Sequence, residues 1–268
     1  MRFARRLGVL PSALVLLAAA VAALAPGLFS TADPVRGDLG ERLLPPGAGH
    51  LFGTDELGRD LFSRVVHGSA ASLQAAAIAV GIAVLTGAMI GLVAGTAGGR
   101  LDGLIMRGVE VLLAVPSFLL VLVVVAVLGP GTREVAVGVG VSAAAVFARV
   151  MRAEVVRVRG SAYVEAAAVS GTGRAATLLT HVLPNASGPL AALATLELGN
   201  AVLTVASLGF LGFGALPPAP EWGSLISAGR PYLASAWWLT TVPGLVIVAV
   251  VLAVNHLGHV LRTRSERR

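Results

Sequence analysis

Long stretches of this chain carry no charged residue, among them Leu7 to Ala32, Val65 to Gly99, Val111 to Thr132, Ala175 to Leu196 and Pro231 to Leu261. Each exceeds the roughly 20 residues that an α-helix needs to cross a bilayer. A water-soluble core breaks runs of this length. Only 13% of the 268 residues are charged and 56% are hydrophobic, whereas soluble domains carry roughly 25% charge. Charges so sparse cannot cover a water-facing surface, but a lipid-facing surface needs none. The chain reads as an all-α, polytopic membrane protein.

Missing residue types exclude whole classes of chemistry. All 20 basic residues are arginine, so there is no lysine for a phosphate-binding P-loop or a Schiff base. The chain is therefore not expected to hydrolyse ATP itself. Cysteine is absent, which removes thiol catalysis, disulfides and thiolate metal sites. The net charge of +6 would suggest nucleic acid as a partner only on a folded basic face. Here the arginines flank apolar spans, and membrane lipid is the expected surroundings instead.

Six spans are expected. Arg2, Arg5 and Arg6 precede an apolar stretch from Leu7 to Phe29, read as a membrane anchor. A signal-peptide cut after Ala25 would leave Pro26 at the cleavage point, which disfavours processing. Residues 30–69 form an extracytoplasmic segment. In it an amphipathic helix, capped by Asp55, would lie at the interface with Leu57, Leu61, Phe62, Val65 and Val66 on one face and an Asp60–Arg64 pair on the other. The next spans run from Ser72 to Ala97 and from Leu104 to Leu128. The fourth starts at Val135 and continues through Arg149 and Arg152, whose long side chains can reach the headgroups. The fifth covers Asn185 to Ser207. The sixth covers Trp237 to Leu261, with Tyr232, Trp237 and Trp238 as an interfacial aromatic belt. No linker divides the chain, so residues 1–268 are expected to form one transmembrane domain.

Six crossings put both termini on one side. If that side is cytosolic it holds Arg2, Arg5, Arg6, Arg100, Arg107, Arg149, Arg152, Arg157, Arg159, Arg174, Arg262, Arg264, Arg267 and Arg268, which is 14 of the 20 arginines and leaves 6 outside. The positive-inside rule then predicts cytosolic termini. Residues 149–183 become the longest cytosolic connection. Within it, Tyr163 to Ser170 reads as a short alanine-rich helix with Glu165 near its start and Gly171 after its end. A carboxylate suits the positive end of a helix dipole, and glycine permits a left-handed stop. Small side chains let another protein approach the backbone, as in a docking helix.

Glu165-Ala166-Ala167, then Gly171, then Leu183-Pro184 resembles the EAA loop of ABC importer permeases, which seats on the ATPase subunit. Three further blocks resemble the C-type permeases of dipeptide, oligopeptide and nickel importers. They are Gly53-Thr54-Asp55-Glu56-Leu57-Gly58-Arg59-Asp60, His181 to Asn185, and Phe210-Leu211-Gly212-Phe213-Gly214 followed by Pro217-Pro218 and Glu221-Trp222-Gly223. The resemblance implies the ABC importer permease fold in the bacterial cytoplasmic membrane. It also implies a heterodimer with a B-type permease, two ATP-binding subunits or domains that hold ATP and Mg, and an extracytoplasmic peptide-binding protein. This chain would bind no cofactor, catalyse no reaction, and couple to the ATPases through Tyr163, Glu165, Ala166, Ala167, Gly171, Leu183 and Pro184. Di- or oligopeptides are the cargo the resemblance implies, with nickel or another small solute as the alternative. An ion-coupled secondary transporter would show inverted repeats with broken helices at matching positions, and none is visible.

Two carboxylates, Glu110 and Glu197, fall inside spans, where an ionisable group needs protein or water around it. Both are candidates for the translocation pathway. Glu110 could instead pair with Arg107, and Glu197 could serve a helix contact. His256 and His259 are read as packed or interfacial rather than as metal ligands, since no carboxylate or third histidine is near them in sequence.

Overall fold

A computed structural model describes residues 9–170 and 172–265. Among these the only regular secondary structure is helical, joined by turns and irregular segments, the longest at 29–60, with one isolated bridge between Thr54 and Asp60. The helices are α1 (Val9–Leu24), α2 (Leu61–Ala97), α3 (Gly99–Ala114), α4 (Ser117–Leu128), α5 (Thr132–Arg159), α6 (Ala162–Val169), α7 (Arg174–Thr177), α8 (Leu183–Phe210), α9 (Trp222–Gly229) and α10 (Trp238–Ser265). All six apolar segments expected from the sequence are helical. Four helical stretches, at 61–97, 132–159, 178–210 and 238–260, are long and apolar enough to cross a membrane. The α3–α4 pair makes a bent fifth, and α1 contributes a shorter apolar helix of 16 residues.

The interfacial amphipathic helix capped by Asp55 is not there. Residues 55–60 fold into a closed turn, and the Asp55 carboxylate is consumed inside it by the N–H groups of Leu57 and Arg59. Asp60 is left to cap the helix, accepting from the Ser63 N–H at 2.7 Å. The helix therefore starts at Leu61 and runs unbroken to Ala97, 37 residues. That is roughly 55 Å at 1.5 Å per residue, longer than the hydrocarbon core. Leu61, Val65 and Val66 are buried, and the Trp222 indole N–H donates to the Val65 carbonyl at 3.0 Å. Arg64 turns to Asp55, 3.4 Å away, rather than to Asp60.

The third span is likewise not one helix: α3 and α4 meet at 93°. Proline disfavours a helical conformation in the residue before it, and Val115, preceding Pro116, is extended at φ −81° and ψ 129°. With 12 residues α4 is too short to cross alone. The fifth span begins earlier than Asn185. Helix α8 opens at Leu183 and is preceded by a π-helical turn at Leu178–Val182, which makes one continuous apolar stretch. Pro184 fits in the first turn of α8, where no intrahelical N–H is needed. Of the expected aromatic belt, Trp237 is exposed but Trp238 is buried and donates to the Thr54 carbonyl at 3.2 Å.

The α2–α5 seam organises the bundle. Gly87, Gly91 and Gly95 recur every fourth residue on α2 and let the backbones touch. A Cβ at Gly91 would collide with the Ala148 carbonyl, and one at Gly95 would lie 2.8 Å from Val155. Where lipid supplies no hydrophobic drive between helices, such small-residue seams provide the packing. At the end of this seam the Arg159 guanidinium donates to the carbonyls of Gly95 and Thr96 at 2.6 and 2.7 Å, satisfying the open C-terminus of α2. Asp102 ties α3 to α5 through two hydrogen bonds from Arg152, at 3.0 and 2.6 Å.

Antiparallel packing gathers the connections at two ends. Gly131 N–H donates to the Phe213 carbonyl at 3.0 Å, so 25–60, 129–131 and 211–237 share one end. The segment 160–177 lies at the other, with the far ends of α2 and α10. A buried cluster around Trp222, Leu61, Leu208 and Trp238 fills the first end, and one around Phe147, Met151, Val158 and Val182 fills the second.

Candidate functional site

At the second end, α6 begins where the Ser161 carbonyl accepts the N–H groups of Val164 and Glu165 at 3.0 and 3.2 Å. One side chain anchors it. Val164 is buried in the cluster of Val158 and Val182, against which Leu183 also packs. Tyr163 sets its ring edge-on to His181, with centroids 6.4 Å apart. The remaining surface faces outward: Tyr163, Glu165, Ala166 and Val169 are exposed and Ala167 is half-buried. Val169 is 89% exposed, and the Glu165 carboxylate pairs with none of the described residues. Such a face has small, apolar and anionic groups with nothing over them. Leu183 and Pro184 open α8, Leu183 on the anchoring cluster and Pro184 exposed. Gly171 lies outside the described residues. Val164 is not legible as an anchor in the sequence, because one valine among alanines gives no periodic signal.

The two carboxylates expected inside spans part company. Glu110 sits on the exposed side of α3 and makes no ion pair with Arg107. Glu197 lines a cavity of about 360 Å³ bounded by α4, α5 and α8, whose polar wall is Ser117, Ser142, Asn200 and Thr204. Among the described residues its one direct partner is the Asn200 amide, which donates to Oε2 at 3.3 Å.

The first end is held by charged groups that the sequence marked as motif without revealing their burial. Asp55 accepts from the Arg59 Nε at 2.6 Å, both side chains being nearly closed to solvent. Gly58, at φ +71°, makes this turn possible, and a Cβ there would strike the Asp38 backbone. His50 stands between Asp60 at 2.9 Å and Glu41 at 3.3 Å. The hydrogen bond to Asp60 is the main reason its pKa lies above the ordinary value, helped by both negative charges. Glu221 is fully buried and caps α9, accepting from the N–H groups of Gly223 and Ser224 at 2.8 and 2.9 Å and from the Ser72 hydroxyl at 3.2 Å. Burial raises its pKa against the opposing pull of those donors. Gly209 makes the room, since a Cβ there would collide with the carboxylate.

Residues 87–268 match the family described as binding-protein-dependent transport system inner membrane component. The chain belongs to this family. Among similar proteins, the probable D,D-dipeptide transport system permease protein DdpC of Escherichia coli K12 is 39% identical over 234 residues, 87% of this chain and 78% of the relative. The di/tripeptide transport system permease protein DppC of Pseudomonas aeruginosa UCBPP-PA14 is 42% identical over 212 residues, covering 79% and 70%. The dipeptide transport system permease protein DppC of Haemophilus influenzae Rd is 37% identical over 254 residues, covering 92% and 86%. Among solved structures, a chain of the MetNI methionine ABC transporter in an inward-facing form superposes with a TM-score of 0.61 at 18% identity, covering 75% of this chain and 95% of that one. A chain of an amino acid ABC transporter crystallised with histidines gives 0.59 at 16%, covering 75% and 94%. The fold is that of an ABC importer permease. As a family member the chain is a multi-pass component of the inner membrane, and the match begins at Gly87, at the glycine seam. These three relatives match further toward the N-terminus, over up to 92% of this chain.

Proposed function

We propose that this chain is the transmembrane subunit of an ATP-driven importer that carries di- and oligopeptides across the cytoplasmic membrane, working as one domain over residues 1–268. The observation that carries the reading is α6, a short helix anchored by Val164 with an uncovered face of small, apolar and anionic groups. In this reading that face seats on an ATPase subunit through Tyr163, Glu165, Ala166 and Ala167. Gly171, Leu183 and Pro184 link it to α8, so that closure of the ATPases tilts α8 and reopens the cavity at Glu197. ATP and Mg belong to two partner subunits or domains, which suits a chain without lysine, and this chain binds no cofactor and catalyses no reaction. A second permease completes the path, and an extracytoplasmic binding protein delivers cargo to the end closed by Glu221 and Trp222. Peptide cargo is supported by the names of the relatives.

The test is uptake of a radiolabelled dipeptide into vesicles holding the assembled transporter, with and without ATP and binding protein. Uptake that needs both is expected. Uptake of nickel but of no peptide would move the cargo to the alternative class. Uptake driven by an ion gradient without ATP would overturn the importer reading.

A further inference from the structure

We infer that Glu197 forms a cation-accepting site in the membrane, taking the ammonium group of an organic solute as it passes and disfavouring anions. The inference rests on the reading above in one respect, that the cavity at Glu197 is part of the transport path. Three observations carry it.

The first is unmet charge complementarity. A carboxylate inside a span is costly unless something compensates it, yet none of the residues lining this cavity is basic. Among the described residues the single direct contact, from Asn200 at 3.3 Å, leaves most of its acceptor capacity free. The second is the wall. Ser117, Ser142, Asn200 and Thr204 are neutral hydrogen-bonding groups from three helices. An alkylammonium has three donors, so one can meet the carboxylate while hydroxyl and amide oxygens accept the others. A divalent metal would call for several hard or imidazole ligands, and the described residues hold no group of three His, Asp or Glu able to bind one. The third is the approach. Leu203 also lines a second, apolar cavity of about 450 Å³ with Phe118, Ser207, Phe210 and Ile247. At its outer end the Arg230 guanidinium lies 5.1 Å from the Phe210 ring centre. A solute moving along α8 from that end crosses an apolar stretch that tolerates varied side chains before it reaches the one anionic group. Selection there would act on the ammonium and leave the side chain unread.

The absence of cysteine allows a test that does not depend on cargo. Thr204→Cys places a single thiol in the cavity. In vesicles with the assembled transporter, its reaction rate is measured with methanethiosulfonates of similar size bearing either trimethylammonium or sulfonate. With Glu197 present the cationic reagent should be favoured by about tenfold, the lower end of what local charge does to encounter rates. Adding Glu197→Gln should bring the ratio close to that of the free reagents, Glu197→Asp should keep most of it, and Glu197→Lys should invert it. Equal ratios with Glu197 intact and with Glu197→Gln would overturn the inference. So would a thiol in Thr204→Cys that neither reagent reaches, because the cavity would then be closed to polar solutes. Peptide uptake is followed in parallel in the same vesicles. A charge-dependent ratio without ATP-driven uptake supports the cation site and sinks the importer reading; normal uptake with a ratio indifferent to the charge at Glu197 does the reverse.

Discussion

Single side chains fix the end opposite α6, and their removal has defined costs. Glu221→Ala strips the cap from α9 and leaves two backbone donors and the Ser72 hydroxyl in a closed space. A loss of about 2 kcal/mol or more follows from cap and unmet-donor terms, read as a lower melting temperature in detergent; an unchanged melting temperature would show that the buried contact contributes nothing. His50 behaves differently because it titrates. Its folded pKa is raised from 6.5 by Asp60 and Glu41, so its contribution is complete below 6.5 and is lost as pH climbs through the raised value. Amide hydrogen exchange in residues 41–60, corrected for the intrinsic base-catalysed rate, should therefore quicken above neutrality in the wild type. In His50→Gln that pH-dependent step should vanish. The residues in these contacts were readable as motifs, since Gly58, Asp55, Arg59 and Glu221 all stand in blocks with family resemblance. What each does was not, because Asp55 as a helix cap and Asp55 as a turn centre have the same sequence, and only the competition for its oxygens by Leu57 and Arg59 separates them.

Helices follow from charge-free runs, but their axes do not. The α2–α5 seam is the element-scale feature most open to test. Gly91→Leu would drive a side chain into the Ala148 carbonyl and Met151. Overpacking typically costs about 1–3 kcal/mol, and against backbone the upper end is expected, with lowered yield of folded protein. Gly81, on the same helix, has nothing within 4 Å of its missing Cβ. Gly81→Ala should be neutral or stabilise by up to about 1 kcal/mol. Equal behaviour of the two variants in a thermal melt would refute the seam. Charge-free runs mark most of the apolar segments, but on composition alone one straight helix crosses Pro116 and another starts only after Pro184. Composition cannot see a bend. One proline breaks the ladder at Val115, whereas the other falls where α8 begins and costs nothing. The 37-residue α2 looks divided in the sequence for a related reason. Its first turns are polar on the face that meets Pro34 and Asp55, so in sequence they resemble an interfacial piece rather than the start of the span.

For the molecule as a whole, alternation of the helices puts α6 at the end opposite residues 25–60 and 211–237, and the arginine asymmetry predicts that the α6 end is cytosolic. In the cysteine-free chain this becomes a labelling experiment. Thr31→Cys and Ala219→Cys, both at exposed positions, should react with an impermeant thiol reagent added outside intact cells, while Ser170→Cys should not. Labelling of Ser170→Cys alone would invert the topology. The central claim, that α6 transmits ATPase closure to the cavity, is tested most directly by Ala167→Trp. Position 167 is half-buried at the edge of the uncovered face, outside the bilayer, so the permease should still fold and insert. A docked interface loses about 1–3 kcal/mol to such added volume, roughly 5- to 150-fold in binding. The measurement is co-purification of the ATPase subunits with wild-type and Ala167→Trp permease, together with cargo-stimulated ATP hydrolysis in reconstituted vesicles. Weakened association and loss of stimulation are expected, with permease levels in the membrane unchanged. Full association and wild-type stimulation in Ala167→Trp would contradict the central claim.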